Sequence, residues 1–184
     1  FDFDRQNRLG FIEAIWGEDK SIDQLEKVSK EVLQKSKIVF ITRINEGKAK
    51  VLQEIYKNAT FYNEANCLVI DESTNNIQSD KTVAIVSGGS SDLSVSIEAK
   101  LALKVHGIAS EIFMDVGVAG IHRLFNQLDK IKKHNVIIVC AGMEGALATV
   151  ITGLLPQPII GVPVSVGYGV SKDGKVALNS MLAS

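Results

Sequence analysis

Short apolar runs recur through the second half of the chain, each closed by a glycine-bearing turn and each followed by a longer stretch of helical periodicity. Thr82–Val86 is a mostly β-branched run of strand length. A helix is predicted from about Asp92 to His106, with Gly107 placed to terminate it. The alternation continues with a strand at Ala109–Met114, a helix around Ala119–Lys133, a strand at Asn135–Cys140, a helix around Glu144–Leu155 and a short strand at Pro158–Val162. Strands at this spacing, separated by helices, predict a parallel sheet with helices on both faces.

The expected class is therefore α/β, a flavodoxin-like three-layer α/β/α arrangement. A small α/β N-terminal region precedes it. That region is charge-rich and helical at first, and then reads strand, helix, strand. Lys37–Ile44 is a buried strand candidate, Ala49–Tyr56 places Val51, Leu52, Ile55 and Tyr56 on one helical face, and Cys67–Ile70 starts another β-like run. Residues 71–80 are polar without apolar periodicity, as a linker is. The expected division is residues 1–80, ending in that linker, and residues 81–184.

With 184 residues, 46% of them hydrophobic, the chain can bury a substantial core. Twenty Lys and Arg stand against 21 Asp and Glu, a net charge of -1 that leaves no basic surplus for nucleic acid. Cys67 and Cys140 lie inside apolar runs and read as reduced, buried residues of a cytoplasmic protein. No apolar stretch reaches the roughly 18 to 20 residues a membrane helix needs, and the start has no signal pattern, so no membrane partner is expected.

In parallel sheets ligands bind outside the carboxyl ends of the strands, which directs attention to the turns there. In Ser87–Asp92, Gly88 and Gly89 let the backbone approach a ligand, Ser90 and Ser91 with the helix amides can hold phosphate, and Asp92 can cap the helix or orient a ligand. An ordinary capped turn has the same composition, and neither the P-loop nor the dinucleotide fingerprint is present. In Asp115–Arg123, His122 can move a proton near neutral pH and Arg123 can hold a phosphate or carboxylate bidentately, unless both are plain surface residues of a helix's first turn. His106 and His134 read as structural. In Ala141–Leu147, small residues surround Glu144, which either contacts a ligand or complements a helix dipole. Gly161–Gly169 runs from a strand end into a Gly-rich loop. The convergence of these turns on one sheet edge argues for a site.

The turn at Gly89–Asp92, the Ala-x-x-His-Arg stretch at Ala119–Arg123, Ala141–Met143 and Gly161–Val164 resemble the aminoimidazole ribonucleotide (AIR) carboxylase family, PurE. The resemblance to the related LarB family covers nearly the whole chain. It includes Asp4-Arg5-x-x-Arg8-x-Gly10-Phe11-x-Glu13, Thr42-Arg43, Asp115–Leu124, Ala141–Leu147 and Ser165–Gly169. PurE has a further histidine after Ala-Gly-Met, where Glu144-Gly145-Ala146-Leu147 offers none. From the turns and the resemblance together, the candidate catalytic residues are His122, Glu144 and Asp92. The candidate ligand-binding residues are Gly88, Gly89, Ser90, Ser91, Asp115, Arg123, Gly142, Met143, Ser165 and Gly167. No metal ligand is assigned.

The LarB resemblance implies carboxylation of the pyridinium ring of nicotinic acid adenine dinucleotide, with phosphoanhydride cleavage releasing AMP, in nickel-pincer cofactor biosynthesis. Carbon dioxide or bicarbonate is the implied co-substrate and Mg2+ the implied cofactor. A homo-oligomer is expected, partly because the loop Pro163–Gly169 has little to pack against within one chain. The family's thiolate lies in an element shortly after an Ala-Leu-x-x-Met-Leu pattern, which here is Ala177–Leu182. The expectation is that the sequence is a piece of a longer chain, and that the polypeptide ending at Ser184 folds but does not carboxylate. The competing readings are a PurE-type carboxylase or mutase and a nucleotide-binding regulatory module without chemistry.

Overall fold

The computed structural model describes Asp2, residues 4–71 and residues 79–184. The chain divides into two units, Phe1–Asn76 with Val105–Gly107, and Ile77–Lys104 with Ile108–Ser184. Of the expected linker, residues 72–78 lie outside the described residues.

The first unit opens with α1 (Arg5–Leu9) and the two-residue strand β1 (Ile15–Trp16). Ser21 starts α2 (Ile22–Leu33) through a full capping box with Gln24, which satisfies donors that the first turn leaves free. Then come β2 (Ile38–Thr42), α3 (Glu46–Ile55) capped by the Asn45 side chain, β3 (Ala59–Tyr62) and β4 (Cys67–Asp71). The sheet runs β1-β2-β4-β3, with β1 parallel to β2 and the remaining pairs antiparallel. Leu25 and Val32 of α2 and Ala49 and Leu52 of α3 pack on Ile15, Val39, Ile41, Leu68 and Ile70.

Two expectations need correction in this unit. The buried face of α3 is Ala49 and Leu52 with Tyr56 beside them, while Val51 and Ile55 are 40% and 42% exposed. An α-helix brings positions 49, 52 and 56 to one side, and the sheet took that stripe rather than the larger side chains one step round. The local sequence pattern does not mark the strands β1 and β3. Each is short, and its pairing comes from the partner strand rather than from its own pattern.

In the second unit β5 (Thr82–Ser87) leads through a 3-10 turn at Ser90–Asp92 into α4 (Leu93–Lys104), and β6 (Ala109–Phe113) follows. A 3-10 turn at Val118–Gly120 precedes α5 (Ile121–Phe125) and α6 (Leu128–Ile131). The chain continues with β7 (Val136–Ala141), α7 (Ala146–Leu154), β8 (Ile159–Pro163), a kinked 3-10 segment at Gly169–Gly174 and α8 (Lys175–Leu182). All four strands are parallel in the order β6-β5-β7-β8, the flavodoxin-like order.

Alternate strand residues face opposite sides. Ala84, Val86, Ile137 and Val139 meet Leu124, Ile131, Leu147 and Ile151 of α5, α6 and α7, whereas Val83, Ile85, Ile138 and Cys140 meet Val95, Ala99 and Leu103 of α4. The single helix expected around 119–133 is three pieces. Gly120 at φ -131° and Gln127 at φ -107° interrupt it, yet Leu124 and Ile131 both reach the core.

Candidate active site

β5 and β7 are adjacent in the sheet, but the chain leaves them in opposite directions, toward β6 and toward β8. This is the topological switch point at which open parallel sheets hold their ligands. The turns after both strands carry the Gly-rich motifs, and specific contacts lock them together.

The turn after β5 closes on itself through Asp92. Its carboxylate accepts the N–H of Gly89 at 2.9 Å and lies close to the backbone amides of Gly88, which donates to Cys140 C=O at 3.2 Å, and of Gly142, across in the turn after β7. The side chain is buried, 4% exposed, and burial raises its pKa above the ordinary carboxylate value, with the nearby amides of Gly89, Gly88 and Gly142 opposing the rise. Asp92 therefore positions the two turns, while Ser90 and Ser91 beside it are exposed. Ser87 ends β5 with its hydroxyl directed at Met114 Sδ, 3.0 Å away, and is buried.

The turn after β6 is held by Val116 N–H on Ser87 C=O, 3.1 Å, and by Gly117, where an added Cβ would lie 2.6 Å from the Gly88 carbonyl oxygen. Asp115 and Arg123 form an exposed ion pair at 3.4 Å, and the guanidinium lies over bare Gly120. His122 is exposed on α5, and its side chain makes no hydrogen bond or ion pair among the described residues. Its imidazole is free to meet a ligand.

The turn after β7 rests on the loop after β8. A Cβ on Gly142 would sit 2.3 Å from Val166 O, and Met143, at φ 52°, donates its N–H to that same oxygen at 3.1 Å. Glu144 is exposed and precedes α7, which begins at Ala146 rather than at Glu144 as expected. Ser165 is exposed and Gly167 packs against Ser171. The loop Pro163–Gly169 thus has partners within its own chain, including Val164 at 3% exposure, contrary to the expectation that it has little to pack against. Tyr168, 77% exposed on this loop, and the Gly117 contact were not singled out from the sequence, although the Gly-flanked tyrosine was a usable signal.

Beneath these turns Cys140 is fully buried. Burial pushes its thiol up to about 11, the Ser96 hydroxyl offsets this in part and the nearby Asp92 charge adds to it. Cys67 is buried too, its thiol directed at Ala65 C=O. His134, packed edge-on against Phe113, is 3.8 Å from Glu111 and remote from the turns in role. Among the described residues no group of three or more His, Cys, Asp or Glu side chains converges as a metal site, and no helix is long and apolar enough to cross a membrane.

The assembled site is a backbone cradle of glycines and serines, with one cation, one free imidazole and one free carboxylate at its rim. Such a surface suits a phosphorylated ligand whose ring lies against bare main chain. Residues 1–72 match the LarB/PurE-like N-terminal domain family, and residues 82–184 match the AIR carboxylase family. An uncharacterized protein of Methanocaldococcus jannaschii is 38% identical over 177 residues, covering 92% of this chain and 69% of its own length.

Proposed function

Because the chain belongs to the AIR carboxylase family, in its LarB, PurE-related branch, we propose that it carboxylates the pyridinium ring of nicotinic acid adenine dinucleotide and cleaves the phosphoanhydride to release AMP, a step toward the nickel-pincer cofactor. A carboxylase-type function is what the family supports. The observation that carries the finer reading is the LarB/PurE-like domain at residues 1–72, ahead of the carboxylase domain. Glu144 in the Ala-Gly-Met turn agrees with it, since the purine enzymes offer a histidine after that motif.

In this reading the amides and hydroxyls of Ser90 and Ser91 and the Arg123 guanidinium take the phosphates, while side-chain-free Gly88 and Gly89 let them approach the turn. Gly142 and Met143 form the surface under the ring, with Asp115, Ser165 and Gly167 at its edges. A pyridinium is electron-poor and does not attack carbon dioxide. The thiolate that the LarB resemblance places after the pattern matched by Ala177–Leu182 adds to the ring and leaves a dihydropyridine whose enamine carbon forms the new C–C bond with carbon dioxide. His122 or Glu144 then removes the proton from that carbon, and the thiolate departs as the ring regains its charge. Cys140 and Cys67 do not suit the thiolate role, because both are buried and Cys140 holds its proton well above neutral pH. The described side chains do not fit a resident magnesium cage, so magnesium belongs to this reading only as a companion of the dinucleotide's phosphates. We take the protein to work in the cytoplasm as a homo-oligomer.

The AIR carboxylase match at residues 82–184 keeps a PurE-type reaction as the second reading. Calorimetry with nicotinic acid adenine dinucleotide and with aminoimidazole ribonucleotide separates the two. Tight binding of the dinucleotide, lost in Arg123→Ala, is expected. Binding of the purine precursor alone would overturn the proposal.

A further inference from the structure

The first unit carries chemistry that the proposed reaction does not use. β1 and β2 are its parallel pair, in register with Trp16 opposite Thr42, so their carboxyl ends lie side by side. Trp16 is the chain's single tryptophan and 47% exposed. The Arg43 guanidinium lies over the indole, 5.3 Å from its centroid, and makes no hydrogen bond or ion pair among the described residues.

The backbone presents this arginine at a cost. Arg43 stands at φ 54°, between Thr42 and Ile44, which are both buried. The chain must invert there for Ile44 to reach the core and donate its N–H to Asn66 C=O at 2.9 Å. Glycine or asparagine is the ordinary residue for such a position, and an arginine kept there under strain points to a use for its side chain. The surroundings are rigid. Gly17 N–H donates to Thr42 C=O at 2.8 Å, and Lys48 reaches from α3 to donate to the carbonyls of Gly17 and Glu18 at 3.0 and 2.7 Å.

We infer that Trp16 and Arg43 form a binding site for a purine nucleoside monophosphate. On binding, the Arg43 fork swings from the indole to take the phosphate bidentately, and the half-exposed ring it uncovers stacks the base. An aromatic plane beside an unpaired arginine at adjoining strand ends is the arrangement used to hold base and phosphate together. The site does not depend on the carboxylation proposed above.

The chain of 184 residues supplies its own probe, because the emission of its one tryptophan reports on this site. Titration with AMP is expected to change that emission saturably, with adenosine and ribose 5-phosphate each binding about tenfold more weakly or worse. Arg43→Gly accepts the left-handed backbone, so its Tm should be unchanged or raised while its AMP affinity falls about tenfold or more. Arg43→Lys, which keeps the charge without the fork, should fall between the two. An emission that AMP does not saturably change, or equal AMP affinity in the native chain and Arg43→Gly, overturns the site. Equal affinity for adenosine and AMP overturns the phosphate role of Arg43. Calorimetry of Arg123→Ala with the dinucleotide tests the carboxylase site separately.

Discussion

The carboxylate of Asp92, in the turn after β5, lies against the backbone amide of Gly142, in the turn after β7, which favours its charged form. One buried side chain thereby braces the two turns that flank the switch point, and it also holds its own turn through the Gly89 N–H, while the Gly88 N–H crosses to Cys140 C=O. Truncation in Asp92→Ala strands the Gly89 N–H, at about 1–3 kcal/mol when left unsatisfied, and removes the brace between the two turns. A large fall in stability by urea unfolding is expected, together with loss of nucleotide binding.

Asp92→Asn isolates the charge. Burial raises the folded-state pKa of Asp92 above its unfolded value, so the folded state holds the proton longer. The stabilisation that this proton brings is fully present below the ordinary carboxylate value and is lost as pH rises through the raised one. The neutral variant mimics the protonated form. Urea titrations should find it closest to the native protein near pH 4, with the native protein losing ground to it as pH rises to 7.

Gly142→Ala and Gly117→Ala drive a methyl into a carbonyl oxygen, of Val166 and of Gly88 respectively. Each should cost about 1–3 kcal/mol and weaken nucleotide binding by displacing a turn. Gly153→Ala in α7 meets nothing within 4 Å, so it should be neutral or stabilise by up to about 1 kcal/mol. Thermal unfolding of the three variants checks the contrast.

His122→Ala and Glu144→Ala remove exposed side chains from the rim. Unfolding free energies should stay within about 0.5 kcal/mol of the native value while activity of the full-length enzyme falls. Loss of the fold with activity per folded molecule intact would move both residues from chemistry to structure.

Cys140 should be inert in the native state. Its thiol titrates at about 11 instead of 9.0 and is buried, so alkylating reagents at pH 8 should label it only after unfolding. Because the folded state keeps that proton longer, its contribution to stability is lost as pH rises from about 9 toward 11. Cys140→Ser should flatten this alkaline loss and leave turnover of the full-length enzyme largely unchanged.

β8 is an edge strand, with Ile160 52% exposed, and Tyr168 and Val170 just beyond it are 77% and 91% exposed. An apolar edge of this kind is normally covered. Light scattering should report a closed homo-oligomer that Ile160→Lys weakens. A monomer at all concentrations would sink the assembly.

The parallel sheet, its strand ends and the turns that bear glycine were legible in the sequence, because they rest on local signals. Val83 to Val86 and Ile137 to Cys140 are buried on both faces and read as continuous apolar runs, and glycine marks each departure from a strand. Which stripe of α3 faces inward was not legible. Ala49 won over Val51 because the sheet it meets is assembled from β1, β2, β3 and β4, and that surface exists only after distant segments pair. The same reason separates Asp92 from Glu144. Both carboxylates follow a strand and precede a helix, so local pattern treats them alike. Only the approach of Gly142, some fifty positions along the chain but adjacent across β5 and β7, buries one as a brace and leaves the other at the rim.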